Sequence, residues 1–536
     1  MATMPRQPTS MDSTSQPTRY NAAEDLIGRN LRAGREKKIA YIDEAGTHTY
    51  SELAERVDRC ANALLTEGIQ AGHRIILCLL DTIDFPACFL GAIKAGIVPI
   101  PINTLFQAAD YAYVLRDSQP KALVVSESLL PRMVEAIRIS GWRGQIIVSG
   151  KSASEFAALS DLMAAARGAA QTAPTLADDV CFWLYSSGST GEPKGAVHRQ
   201  ASLARTAELF GQAVLGMGEN DVVYSAAKLF FAYGLGNALS FPLTAGATAI
   251  LHSGRAHPKA VCEIFQKNKP TIFCGVPTLF SSLLVCEDLP RREGLTLRLC
   301  TSAGEALPEE IGRAWNVRTG VEIVDGIGST EMLHIFISNR PGFCRYGTTG
   351  KPVPGYKVRL LDENGREAEA GEMGDLHVSG PSAAAYYWNK PAKNKSTFLG
   401  DWVKTGDRFR QDANGDYVYC GRSEEMLKVS GLWVSPTEVE SALISHEAVL
   451  EAAVVGALDE NALVKPKAYV VLKPGVAPGS ELAGELKDFV KSRLAPYKYP
   501  RWIEFLDELP KTATGKIRRN VLRASAHEVN KNSRRA

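Results

Sequence analysis

The chain has 536 residues, with 61 basic and 59 acidic side chains for a net charge of +2; 45% of it is hydrophobic and 22% charged. Such a length exceeds one compact core and suggests two to four domains, and the ordinary composition excludes wholesale disorder. The near-neutral balance excludes a dominant electrostatic footprint for nucleic acid or an anionic membrane, and ten cysteines with no C-x-x-C pair exclude a zinc knuckle and a disulfide framework and fit a reducing cytoplasm.

Residues 1–19 are rich in Ser, Thr, Pro and Gln without an apolar signal-peptide core, so they read as a disordered leader. Thr49 and Glu52 stand at capping-box spacing and predict a helix start. Short β-branched runs at 74–80, 97–102, 122–126 and 145–149 predict strands with helices between them, hence a parallel sheet. The apolar stretch 85–93 is cut by Lys94, far short of the roughly 20 residues that span a bilayer, so no membrane span is expected. The same rhythm returns at 222–226, 247–252, 271–274, 297–302 and 321–325. Beyond Gly350 the strands 357–361, 374–379 and 416–419 lie closer together, as antiparallel hairpins do. A boundary falls near Gly421, and strands at 451–455, 467–472 and 502–506 with a helix at 482–494 predict a small α+β domain. The expected organisation is a leader over 1–19, a large domain over 20–421 and a small one over 422–536.

The sharpest local feature runs Tyr185, Ser186, Ser187, Gly188, Ser189, Thr190, Gly191, Glu192, Pro193, Lys194, Gly195, directly after an apolar strand-like run. Its glycines free the backbone so that amides can turn toward an anion, the hydroxyls add donors and Lys194 adds charge, which is how a loop grips phosphate. A surface turn is the plain alternative, but a run of small and polar residues with one lysine after a buried strand favours nucleotide binding. Walker A geometry is absent, since Pro193 precedes the lysine and Gly195 follows it. Two other glycine pairs, Gly234 with Gly236 and Gly326 with Gly328, lack the third glycine of a dinucleotide fingerprint.

This loop resembles the signature of the adenylate-forming superfamily, which includes acyl-CoA synthetases, peptide-synthetase adenylation domains and firefly-type luciferases. Further matches follow in order: Ser302 to Pro308 with the adenine-edge segment, Asp325 to Glu331 with the Gly-x-Thr-Glu segment, Lys404 to Asp407 with the ribose-binding aspartate motif, Gly421 to Gly431 with the interdomain hinge, and Pro510 to Lys516 with the catalytic-lysine loop. The resemblance implies an α/β fold: a large N-terminal domain of stacked, mostly parallel sheets with a distorted β-barrel subdomain, and a small mobile α+β C-terminal domain. It implies ATP, Mg²⁺ and coenzyme A as reactants and cofactor, with no nucleic-acid or membrane partner, and leaves a homodimer open.

By the same resemblance, Ser186 to Gly191 and Lys194 hold the phosphates; Gly304, Glu305, Ala306, Asp325, Gly326 and Ile327 meet the adenine; and Asp407 with Arg422 meets the ribose. Glu331 holds Mg²⁺, Thr330 donates to the α-phosphate, Lys516 meets the acyl and phosphate oxygens where charge develops, Glu424 is the hinge, and Gly431 and Trp433 approach the pantetheine. Alone, Lys516 would read as a solvated surface charge and Asp407 as a turn residue. Relatives often carry an aromatic residue at Ile327 and Asp at Glu424.

The segments 229–236 and 332–336 look like those of the benzoate-CoA ligase family. Ala232, Ala303 and Gly328 would leave room for a flat ring, Tyr233 and Ile335 would pack on it, and His334 would approach the carboxylate or a substituent. The plain alternative makes Phe230, Phe231 and His334 core residues. The expectation is an AMP-forming ligase that converts benzoate, 4-hydroxybenzoate or 2-aminobenzoate to its CoA thioester, with aromatic-compound degradation as its setting. The rival is an aryl-acid adenylating enzyme that loads a carrier protein; a serine hydrolase is disfavoured because no Gly-x-Ser-x-Gly elbow is present.

Overall fold

The Thr49 hydroxyl accepts the Glu52 amide at 3.3 Å, and the Glu52 carboxylate accepts the Thr49 amide at 2.7 Å, so the capping box forms and opens the helix Tyr50–Thr66. That helix buries Leu53, Val57, Cys60, Ala61 and Leu64 against the helix Asp84–Lys94. The crossing is close: a Cβ on Gly91 would stand 2.9 Å from the Cys60 Cβ. A computed structural model describes residues 19–150, 155–186, 192–429, 432–460, 463–511 and 517–533.

Among the described residues, a first parallel sheet runs in the order Val98–Pro101, Arg74–Cys78, Ala122–Ser126, Gln145–Ser149, Ala157–Ala158. A second, nine-stranded sheet has a parallel centre of Ile323–Gly328, Leu299–Ser302, Ile272–Gly275, Val222–Ser225, Thr248–Ile250 and Ile39–Asp43, with antiparallel strands at both edges. The predicted runs from 74–80 to 321–325 each fall on one of these strands, whereas Ile39–Asp43, Ala157–Ala158 and the antiparallel edge strands are additions of the structure. Between the two sheets lies a core of Phe85, Phe89, Leu77, Val124, Phe182 and Leu239.

After Gly350 the pairing turns antiparallel, as the shorter spacing predicts: Lys357–Leu361, Met373–Ser379, Trp402–Gln411, Phe398–Leu399 and Tyr417–Arg422 form a half-barrel sheet. Its last strand ends at Arg422. The small domain has its own sheet, Val449–Leu458, Val464–Leu472 and Trp502–Phe505, flanked by the helices Pro436–Ile444, Ser480–Arg493 and Arg519–Ser533. Separate buried clusters fill the two domains. No helix among the described residues is long and apolar enough to cross a membrane.

Candidate active site

The strands Val180–Ser186 and Lys194–Arg199 are antiparallel partners, with Ser186 opposite Lys194 across the mouth of the Ser/Gly loop. Ser187, Gly188, Ser189, Thr190 and Gly191 lie outside the described residues, as do Gly431 and Lys516. A third strand, Tyr386–Tyr387, pairs with Lys194–Arg199 and sets Tyr387 opposite Ala196. The Lys194 ammonium therefore sits over the Tyr387 ring, 4.6 Å from its centroid, and 3.5 Å from its hydroxyl. Tyr387 in turn donates to the Glu331 carboxylate at 2.6 Å. Burial alone would raise the Glu331 carboxyl, but the Tyr387 hydrogen bond and the Lys194 charge outweigh it and hold it below the usual carboxylate range. Burial lowers the Lys194 ammonium in spite of Glu331. The result is a partly buried cation and an ionised carboxylate joined through one phenol, beside Thr330.

Asp407 and Arg422 face each other on paired strands, 3.1 Å apart. The Asp407 charge raises the Arg422 guanidinium still further above its ordinary value. On the neighbouring sheet Ser302 pairs with Asp325, both buried. Burial pushes the Asp325 carboxyl well up, against hydrogen bonds from the Ser302 hydroxyl and the Leu307 and Gly326 amides, while the buried Ser186 hydroxyl has no hydrogen-bond partner among the described residues. A buried polar atom left unpaired costs about 1–3 kcal/mol, so the Ser186 hydroxyl suits a polar ligand that completes it. A cleft of about 450 Å³ opens between the two domains, lined by Ala306, Asp325, Tyr419, Met426, Trp433 and Lys498. Gly304 takes φ +97°, a backbone conformation that suits glycine, at the turn into Glu305 and Ala306.

The segment that carries Glu331 continues into the acyl residues. His334 is 2% exposed and enclosed by Phe210, Tyr233 and Phe241, with ring centroids 5.4, 5.5 and 4.4 Å away. Its Nε2 lies 3.3 Å from the Tyr233 carbonyl, and burial lowers its imidazole to about 3. His334 is thus a neutral, packed ring. Tyr233, Ala303, Ile327 and Ile335 belong to the same apolar cluster, and Ala232 packs against the adjoining one. Gly328 has a further reason to be glycine: a Cβ there would stand 2.6 Å from the His334 carbonyl oxygen. Gly326 is similarly tight, its Cβ position 2.8 Å from an Ile335 methyl.

On the small domain, Trp433 donates to Glu363 at 3.2 Å, with Arg408 and Lys428 against its ring. Glu424 is exposed at the domain junction. The Ile517 amide donates to Glu305 at 2.8 Å, which brings the chain next to Lys516 against the segment 302–308.

Three neighbours of these groups carry no motif. Tyr387 has only the aromatic run 386–388 to mark it. His198 lies fully buried, stacked on Phe182 at 5.1 Å, and burial lowers it to about 4. Arg519 makes three hydrogen bonds to Glu440, at 2.7, 2.9 and 3.3 Å.

A two-domain α/β chain with a cation and a carboxylate flanking a Ser/Gly loop defines an enzyme that handles a nucleotide at a domain junction. The chain belongs to the AMP-binding enzyme family, whose model matches residues 29–388, and residues 438–516 match the AMP-binding enzyme C-terminal domain. It is 58% identical to the benzoate-CoA ligase of Thauera aromatica over 95% of this chain and 97% of that protein. Among solved structures, a benzoate CoA ligase from Burkholderia xenovorans LB400 superposes with a TM-score of 0.89 at 52% identity, covering 94% of this chain and all of that one. The anthranilate CoA ligase AuaEII, solved with anthranoyl-AMP, gives 0.92 at 41% identity, covering 97% of this chain and 100% of that one.

Proposed function

We propose that the protein is an ATP-dependent aromatic acid:CoA ligase acting on benzoate or a ring-substituted benzoate. One observation carries this reading: the segment that carries Glu331 runs on into the aromatic cluster of His334, Tyr233, Phe210 and Phe241, so an acid bound beside that cluster would present its carboxylate to the phosphate-binding groups. The 58% identity to the Thauera ligase supports the same acid class.

In the first half-reaction a carboxylate oxygen attacks the α-phosphorus of ATP; the bond to the β-phosphate oxygen breaks and pyrophosphate leaves with that electron pair. Lys194 follows the pyrophosphate, Thr330 donates to the α-phosphate, and Asp407 accepts from the ribose hydroxyls with Arg422 beside it. Lys516, by its motif, neutralises charge between the acyl and α-phosphate oxygens. Mg²⁺ fits this donor set: an ionised carboxylate with one oxygen bonded by Tyr387 leaves another for a cation that prefers phosphates, waters and one or two carboxylates. When bound by Glu331 it would neutralise phosphate charge. In the second half-reaction the CoA sulfur attacks the acyl carbon, AMP leaves and the thiol proton passes to solvent. A neutral His334 adds no charge to the ring's surroundings.

The domain limits are 20–421 and 422–536, with the junction around Glu424, and Gly431 and Trp433 serve the thioester step. A cytoplasmic location, where ATP and CoA are both supplied, is in keeping with this chemistry. The testing experiment is pyrophosphate release from Mg-ATP over a panel of benzoates, cinnamates and fatty acids, with and without CoA, for wild type and Lys516→Ala. Benzoate-dependent pyrophosphate with CoA-dependent turnover, lost in the variant, is the expected result. Turnover with a carrier protein but not with CoA would favour the adenylating rival, and a preference for fatty acids would refute the pocket reading.

A further inference from the structure

The chain on either side of residues 512–516 is pinned to the small domain. Lys511 and Ile517 form an antiparallel bridge, and the Arg518 amide donates to the Pro510 carbonyl at 2.7 Å. Lys511 pairs with Glu451 at 2.7 Å, and Arg519 with Glu440 at the same distance. All of these partners lie after Arg422, so they travel with the small domain. The Ile517 amide is different: it donates at 2.8 Å to Glu305, in the large domain, between Gly304 and Ala306. A carboxylate that accepts a backbone N–H forms a charge-assisted bond, stronger than a neutral one.

We propose that Glu305 is a positioning residue that docks the small domain for the acyl-adenylate half-reaction alone. Its carboxylate holds the Ile517 amide, so the chain that follows the motif loop is tied to the nucleotide segment 302–308 across the two domains. Thioester formation needs different groups at the same carbonyl, and a turn of the small domain about the junction breaks this bond without touching those that pin Lys511 and Arg519. The inference rests on the ligase reading above. It separates Glu305 from a nucleotide contact, because a side chain that merely held the adenylate would serve both half-reactions.

Two assays on the full-length protein test this: benzoate-dependent ATP–pyrophosphate exchange, and thioester formation from synthetic benzoyl-adenylate and CoA. Glu305→Ala is expected to slow exchange at least tenfold and thioester formation less than threefold, and the retained second activity shows that the variant folds. Glu305→Gln keeps an acceptor oxygen and is expected to restore exchange to within threefold of wild type. Equal losses in both assays, or no loss in either, would overturn the docking role. A wild type without benzoate-dependent exchange would overturn the ligase reading and the docking role with it, an outcome visible before any variant is made.

Discussion

Tyr387 donates its phenolic proton to Glu331 at 2.6 Å across 56 positions of sequence, while the Lys194 ammonium rests on its ring. The phenol thereby fixes the only carboxylate that we assign to Mg²⁺. Hydrogen bonds to charged groups contribute about 1.5–3 kcal/mol, equivalent to tenfold or more in rate. Tyr387→Phe keeps the ring beneath Lys194 and removes the proton. Pyrophosphate formation is expected to fall at least tenfold, and half-saturation by Mg²⁺ to move to higher concentration. Unchanged Mg²⁺ dependence in steady-state titrations would separate Tyr387 from the cation.

His334 gives a pH signature. An ordinary imidazole takes its proton near 6.5, whereas burial lowers His334 to about 3. Below pH 6.5 the unfolded chain binds a proton that the folded chain refuses, so this residue's contribution falls with pH until about 3. Asp81 is raised by burial to about 6 and Asp325 well above its usual value; both take protons in the folded state and offset the loss. Comparison with His334→Gln cancels those groups. Wild-type stability relative to the variant is expected to drop by about 2 kcal/mol between pH 7 and pH 5, measured by denaturant unfolding at each pH. A constant difference would mean that the folded protein admits the proton.

The strands were legible where β-branched residues run together: Ala122–Ser126, Gln145–Ser149 and Lys357–Leu361 coincide with the patterns that predict them. The nucleotide motifs were legible because each is a short local run. Tyr387 was not, because its partners lie on the strand Lys194–Arg199 and in the turn after Gly328, and only pairing of Tyr386–Tyr387 with that strand joins them. His334 was visible as a residue, yet its neutrality depends on rings at 210, 233 and 241 that no spacing rule connects. The Ile517–Glu305 bond likewise belongs to the packing of two domains.

Asp407 is buried at 5% exposure and holds Arg422 at 3.1 Å. Asp407→Asn keeps the shape and removes the charge, which weakens both the pair and the acceptor for vicinal hydroxyls. The KM for ATP is expected to rise at least tenfold while the KM for the acid moves less than threefold. Equal effects on both substrates in initial-rate kinetics would place Asp407 in the scaffold instead of the nucleotide site.

Gly236 lies under the His334 ring: a Cβ there would meet Cδ2 at 2.3 Å and Nε2 at 2.7 Å. His334 has little room to move, with Phe210 and Phe241 packed against it. Overpacking of this kind costs about 1–3 kcal/mol, so Gly236→Ala is expected to lower the melting temperature by about 2 °C or more. It is also expected to raise the KM for the acid several-fold while leaving the KM for ATP within twofold, because the added methyl presses on the acyl side of the segment and not on Glu331. Gly218→Ala, with no heavy atom within 4 Å of the new methyl, is the control and should change neither. Should Gly236→Ala alter the ATP constant as much as the acid constant, the His334 ring and the phosphate groups would form one mechanical unit, not two adjoining sites.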